Sequence, residues 1–339
     1  MVDSRDLCWI NPIKKGLNDN RVSFINLKNF NDLKNILNIK LSSNDYSIIK
    51  KIEIHNHEQK LPLTLSDKES HGIIINNKKI KELLSFDISN LTEIRSIVTN
   101  TNVNKFKRNL SLKNGITISS DLVLAADGNS SQLRNLSKIN FFSKKLSHSI
   151  VNGYIKCADD SLNTARQVFL RNNFVGLLPT APKENFTSFV WSLDNNQLNK
   201  YLNNDKLITK LINLLNDHFK KTNTKFRRIQ SKEINSSVNL NVYPINIKYV
   251  PKPFNKRIVL LGDAAHSIHP LAGQGFNLSI EDCLVMLNNL LEARSVGKDL
   301  GDNSIILDYI KKRKIRKDFI TFSTTSLYFI FKNNYPLLN

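Results

Sequence analysis

Residues 259–284 read VLLGDAAHSIHPLAGQGFNLSIEDCL. An apolar run meets Gly262-Asp263; two histidines, a proline and a Gly-Gln-Gly loop follow, and a helix pattern begins at once. A buried strand ending on an aspartate puts a carboxylate at the carboxyl edge of a parallel sheet, where α/β proteins bind ligands. That carboxylate can accept hydrogen bonds from ribose or ribityl hydroxyls, whereas it repels a phosphate. Gly273 and Gly275 let the backbone approach a flat ligand without a Cβ clash. The next helix, expected over Phe276 to Arg294, presents free N–H groups and its positive dipole end to a developing negative charge. His266 and His269, with Asp263 close by, raise a metal reading. Pro270 breaks the helix that would align them and no further ligand cluster accompanies them, so no metal is expected.

A second strand–turn–helix pattern lies at 122–135, LVLAADGNSSQLRN. Ser131 is placed to cap a helix and Arg134 to reach a pyrophosphate. An Asp-Gly turn capped by serine is ordinary loop chemistry on its own. Its weight comes from lying some 135 residues before the first motif, with a β-rich stretch between. Arg21, in Asp19-Asn20-Arg21, and Tyr243-Pro244 are weaker features, because a lone arginine is usually a solvated surface group.

GDAAHSIHPLAGQGFNLSIED resembles the third motif of class A flavoprotein aromatic monooxygenases. Within that class it is most similar to the ubiquinone-biosynthesis hydroxylases, whose signature is GDAAH-x-x-HP-x-AGQG-x-N-L-G. LVLAADGNSSQLRN resembles their ADG-x-x-S-x-x-R motif. The resemblance implies FAD as cofactor and NAD(P)H as reductant. Onto this chain it carries cofactor-binding roles for Gly262, Asp263, Pro270, Ala272, Gly273, Gln274, Gly275, Phe276 and Asn277. It does the same for Asp127, Gly128, Ser131 and Arg134, and for Arg21 near the flavin and its reductant. Tyr243 and Pro244 fall on the substrate side. Ser279 stands where the family usually has glycine. The family also opens with a G-x-G-x-x-G turn, whereas Gly-x-Gly occurs here only at 273–275 and the first glycine is Gly16. Without that cradle, half of FAD loses its anchor.

The implied fold is α/β with an α+β insert. It is a Rossmann-like FAD-binding domain, truncated at its N-terminus, with an antiparallel β-sheet substrate domain of the p-hydroxybenzoate hydroxylase type. The FAD-binding domain is expected over 1–144 and 251–300, with 45–75 able to lend strands to the substrate sheet. The β-rich domain is expected over 145–250 and a helical segment over 301–339. Apolar spacing predicts a helix at 26–41 with Phe30, Leu33, Ile36 and Leu37 inward, and another from Asn77 with Ile80, Leu83 and Leu84 inward. It also predicts a continuous strand at 47–56 and one helix at 196–219 carrying Leu198, Leu202, Leu207, Leu211 and Leu214.

The implied function is hydroxylation of a polyprenylated phenol in ubiquinone biosynthesis, consuming NAD(P)H and O2. The cofactor supplies the difficult step, so no side-chain nucleophile is nominated. The formal charge of +20 is spread along the whole chain with no nucleic-acid signature, so specific nucleic-acid binding is not expected. A basic and then apolar C-terminal segment suits a membrane surface or a quinone-biosynthesis complex, and equally suits packing on the core. Three scattered cysteines and no recognisable leader or span point to the cytoplasm, peripheral to the inner face of the membrane. The competing readings are a catalytically inactive remnant serving as a scaffold, and a dehydrogenase or halogenase of similar fold. Trp9 and Trp191 sit in no halogenase-like context.

Overall fold

The computed structural model describes residues 7–11, 21–38, 41–56, 61–66, 69–84, 91–157, 163–170, 173–182, 186–200, 204–222, 224–229 and 240–332. Asp19, Asn20 and Leu202 lie outside the described residues. The fold is mixed α/β, dominated by one nine-stranded sheet. Its strands run in the order His266–Ser267, Asn241–Tyr249, Phe142–Cys157, Thr187–Asp194, Asn173–Pro179, Thr164–Leu170, Lys51–Asn56, Leu63–Ser66. The two-residue strand Phe226–Arg227 pairs with the far end of Phe142–Cys157. Pairing is antiparallel except where Thr164–Leu170 meets Lys51–Asn56.

Alternation along the strands separates the two faces of this sheet. Val151, Ile155, Val168, Val175, Phe189 and Trp191 all point to one side, where Leu207, Leu211 and Leu215 of helix Asn204–His218 cover them. Each such fully buried side chain contributes about 1.5–3 kcal/mol, so this layer is the main source of the sheet's stability. The opposite face is only partly covered.

Two parallel strands carry the sequence motifs. Val123–Ala125 pairs with Ile258–Leu260, Ala125 lying opposite Leu260. Both strands end at the same edge, so Asp127-Gly128 and Gly262-Asp263 emerge side by side. Their core includes Val98, Leu110, Val250 and Ile258, with Ile10 and Ile94 of the parallel pair Leu7–Asn11 and Leu91–Arg95 packed against it. A third sheet, Val22–Asn26, Gly72–Asn76 and Tyr46–Ile49, packs through Ile25, Ile73 and Ile75 onto Ile280 of helix Gln274–Ser295.

Four expected elements differ. The first helix is Leu27–Leu37, because Asn38 adopts a left-handed conformation (φ 48°) and closes it early; Ile36 is 51% exposed. Asn77–Leu84 leaves Leu84 half exposed at 50%. The run at 47–56 is two strands in different sheets. Ile49 packs with Ile74 in the small sheet, while Lys51 onward joins the large one. The helix at 196–219 is two helices, Asn195–Lys200 and Asn204–His218. The C-terminal segment is one helix, Asn303–Lys332, and no helix among the described residues is long and apolar enough to cross a membrane.

Candidate functional site

At the end of strand Ile258–Leu260 the chain turns through Gly262 in a left-handed conformation (φ 55°). A Cβ there would stand 2.9 Å from Ser279 Oγ, so this close approach requires glycine. Ser279 occupies the position facing the turn and donates back to the Gly275 carbonyl (3.1 Å). Asp263 is an exposed residue at this turn, with its carboxylate partly shielded by the surrounding chain. Desolvation raises its pKa, opposed by the charges of His266 and Arg21. Arg21 also stacks over Tyr243, its guanidinium carbon 5.5 Å from the ring centroid. Arg21, Tyr243 and Asp263, distant in sequence, therefore share one place.

Pro270 leads into the 3-10 turn Leu271–Gly273, which contains Ala272. Gly273, again left-handed (φ 62°), starts helix Gln274–Ser295 with no side chain capping its N-terminus. A Cβ on Gly273 would meet only Phe24 Cβ, at 3.6 Å. Gly273 and Phe276 are exposed, and Gln274 and Gly275 half-buried. Orphan N–H groups at such an end favour a partial negative charge.

The Asp127-Gly128 turn is more enclosed. Asp127 Oδ2 accepts from the Leu133 N–H (3.0 Å), while its Oδ1 is shielded from water with no partner. Ser131 caps the short helix by accepting from the Arg134 N–H (3.0 Å). Arg134 is 1% exposed and donates to the carbonyls of Ala264 (2.9 Å) and Asn129 (3.0 Å). Its guanidinium thus braces one motif against the other. Burial lowers its pKa, and that of Lys248, which donates to the same Asn129 carbonyl.

Two of the residues nominated from sequence are spent on the protein itself. Arg134 is one, and Asn277 the other. Fully buried, Asn277 donates to Phe24 O (2.9 Å) and Gly273 O (3.3 Å) and accepts from Asn26 N–H (2.9 Å) and Asn29 Nδ2 (3.1 Å). Asn277 is a staple across some 250 residues with no side-chain hydrogen bond left for a ring, whereas the buried Arg134 guanidinium spends Nη1 and Nη2 on carbonyls and keeps an unpartnered Nε. Spacing alone cannot reveal a partner so far away.

Sequence reasoning also missed Asp282, the hub of the corner. This buried carboxylate accepts from Gly262 N–H (3.0 Å), His266 Nε2 (2.7 Å) and Arg313 Nε (2.8 Å). Arg313 reaches in from the C-terminal helix and also donates to Glu281 (2.7 Å) and Leu278 O (3.2 Å). Burial would raise the Asp282 pKa, but His266 and Arg313 outweigh it and hold the carboxyl below the usual range. His269 points elsewhere, between Phe174 (5.2 Å) and Tyr328 (4.8 Å), and desolvation drives its pKa down to about 3. His266 and His269 therefore do not converge.

Facing this corner is the partly covered side of the large sheet. The register aligns Asn241, Asn152, Val190, Gly176, Gln167 and Ile54 in one row across six strands. On one flank Phe169 and Phe174 are covered by Leu271 and Tyr328; on the other, Ile52 and Leu178 are covered by Phe24. Between them Val190, Gly176, Gln167 and Ile54 stay half-buried in the middle of the sheet. Tyr243 (40% exposed) and the exposed Pro244 stand at the end nearer Asp263, Tyr243 in register with Ile150 beside the row. The row is the floor of a trough whose rims are the glycine loop and the Phe24 strand.

The residues present suit one half of a flavin dinucleotide. An open carboxylate suits ribityl hydroxyls, an uncapped helix N-terminus suits an electron-rich ring edge, and the unpartnered Asp127 Oδ1 suits a further hydroxyl donor.

The chain is 27% identical over 269 residues to ubiquinone hydroxylase UbiM of Neisseria meningitidis, covering 77% of this chain and 55% of that protein. It is 28% identical over 230 residues to 3-demethoxyubiquinol 3-hydroxylase of Escherichia coli, covering 68% of this chain and 55% of that one. The chain thus spans about half the length of the curated relatives it matches. Among solved structures, Pseudomonas aeruginosa PqsL in complex with 2-aminobenzoylacetate superposes with a TM-score of 0.75 at 14% identity, covering 96% of this chain and 89% of that one. Klebsiella pneumoniae HpxO, complexed with FAD and uric acid, superposes with a TM-score of 0.67 at 16% identity, covering 95% and 81%. At these identities the likeness establishes a shared fold. Residues 78–320, well over half of the chain and including both motif turns, match the FAD binding domain family, and the chain belongs to that family.

Proposed function

We propose that the protein is an FAD-dependent monooxygenase that hydroxylates the aromatic ring of a polyprenylated phenol in ubiquinone biosynthesis, with NAD(P)H as reductant and O2 as co-substrate. The observation that carries this reading is the meeting of the Asp263 corner and the glycine loop with a half-open trough whose floor mixes apolar and amide side chains. A redox ring held by the first two would face a planar substrate lying in the third. The names of the curated relatives support the ring class.

In this reading Asp263 holds ribityl hydroxyls, and the N-terminus of helix Gln274–Ser295 offers N–H groups to the carbonyl edge of the ring. Gly273 and Gly275 allow backbone approach, while Gly262, Pro270, Ala272 and Phe276 shape the loop. Arg21 places a cation beside Asp263 and Tyr243. When bound, FAD supplies electron transfer from the nicotinamide and activation of oxygen for insertion into an electron-rich ring. The chain's own residues orient the substrate ring in the trough, exclude water from it, and set the charge around the corner. The Ile315, Phe319 and Phe322 side chains, 82%, 66% and 73% exposed on the C-terminal helix with Lys311 and Arg316 beside them, are suited to touch a membrane that holds a lipid substrate.

The test starts from purified chain incubated with FAD, followed by gel filtration and a visible spectrum. A bound flavin, with NAD(P)H oxidation stimulated by a prenylated phenol and one atom of O2 recovered in the ring, supports the reading. Protein that stays colourless with added FAD refutes it. That outcome would favour the scaffold reading.

A further inference from the structure

Two polar atoms in the trough have no partner. Gln167 Nε2 and Asn152 Oδ1 are both shielded from water and make no hydrogen bond. Asn152 is 7% exposed, and neither residue is needed for the ladder, which the backbone alone satisfies. A buried polar group without a partner destabilises the fold that contains it, so its presence calls for an explanation. The register provides one. Gln167 is one strand away from Gly176, Asn152 one strand away from Val190, and Gly176 and Val190 are cross-strand neighbours. Neighbouring strands lie about 4.8 Å apart, so a planar ring resting on Gly176 and Val190 has on each side a residue whose side chain carries one unpaired amide atom.

Gly176 makes that resting place flat. A Cβ there would meet Gln167 Oε1 at 3.7 Å and Val190 Cβ at 3.9 Å, so any larger side chain would fill the floor between the two amides. One unpaired atom is a donor and the other an acceptor. Together they match a ring with an acceptor oxygen on one edge and a hydroxyl donor on the other, as in a methoxyphenol.

We infer that Gln167 and Asn152 are the specificity-determining pair of the trough. Gln167 Nε2 donates to a ring oxygen, and Asn152 Oδ1 accepts from a ring hydroxyl. This rests on the trough being the place where the aromatic substrate lies. The pair selects oxygenated rings over plain prenylated arenes, because an arene leaves both buried groups unpaired.

The experiment compares two probes by titration calorimetry against the full 339-residue chain: 2-farnesyl-4-methoxyphenol and farnesylbenzene. Wild-type protein is expected to prefer the phenol. Gln167→Leu and Asn152→Leu are each expected to reduce that preference about three- to tenfold, mainly by weakening the phenol. Removing an unpaired amide relieves the apoprotein, so each variant is expected to melt at the wild-type temperature or above it. A structural amide would behave in the opposite way. Unchanged preference in both variants, or a lowered melting temperature, overturns the assignment of the pair while leaving the trough as substrate site. Wild-type protein that binds neither probe overturns the pair and the substrate reading together.

Discussion

Replacing Asp282 with asparagine removes one charge from the centre of the Asp263 corner. The carboxylate is 1% exposed and holds three donors at 2.7–3.0 Å, two on Oδ2 and one on Oδ1. Asparagine keeps one acceptor oxygen and turns an NH2 toward at least one of those donors. Breaking a buried pair by removing one partner costs about 3–5 kcal/mol. Arg313 retains Glu281 and the Leu278 carbonyl, which places the expected loss at the lower end, about 3 kcal/mol. For a chain of this size that lowers Tm by roughly 4 °C. Urea unfolding followed through the buried Trp191 measures it. The folded Asp282 pKa lies below the unfolded value, so its contribution is complete above the ordinary carboxylate pKa and is lost as pH falls through the folded value. The difference between wild type and variant is therefore expected to narrow as pH falls through the folded Asp282 value. A loss below about 1 kcal/mol at neutral pH, or a difference that does not narrow in acid, refutes the hub.

Glu53 is held at a pKa of about 2, against an ordinary 4.5, because bonds to Lys51, Arg166 and His55 outweigh the desolvation that would raise it. Its stabilising effect is present above pH 4.5 and lost toward pH 2, so Glu53→Gln is expected to flatten the acid limb of a stability-versus-pH curve. Gly262→Ala forces a left-handed alanine with its Cβ close to Ser279 Oγ and is expected to cost about 1–2 kcal/mol for the backbone alone. Adding Ser279→Gly should recover the contact part of the loss, as read by thermal melts of the single and double variants. Changing Ile315, Phe319 and Phe322 together to serine is expected to shift stability by less than about 0.5 kcal/mol per site. The same change should lower co-sedimentation with anionic phospholipid vesicles if the helix touches a membrane; equal sedimentation would remove that role.

Much of the corner was legible because its chemistry is local. Gly262, Asp263 and the Gly273–Gly275 loop announce a strand, a tight turn and a helix start within a few residues, and the structure contains each of them. Each motif's strand–turn–helix pattern was legible, but the parallel pairing of their strands was not, because no contact between them is visible in the sequence. What the sequence hid depends on register or on distant partners. Asn277 and Arg134 have the residue types of ligand contacts, yet they spend their hydrogen bonds on Phe24, Asn26, Asn129 and Ala264. Asp282 lay inside the opening stretch, but only Arg313 from the last helix shows what it does. Gln167 and Asn152 gave no signal, because an alternating strand shows which residues share a face but not which strands are neighbours. Lys50 conceals a change of sheet inside one uniform β pattern.

The pairing of Val123–Ala125 with Ile258–Leu260 has a consequence for synthesis on the ribosome. About 130 residues separate the partners, and at roughly 5–20 residues per second the first strand leaves the tunnel on the order of ten seconds before the second. During that interval the hairpins around Thr164–Asp194 can close on contacts of short sequence separation, while the Asp127 turn has nothing to lean on. The nascent chain should therefore form the hairpins of the large sheet before the corner that holds both motif turns. Ribosome-bound chains stalled before residue 250 should be cut by protease near Ala126 and resist cutting between Phe174 and Trp191. Protection at both places in such chains would show that the corner forms without its second strand.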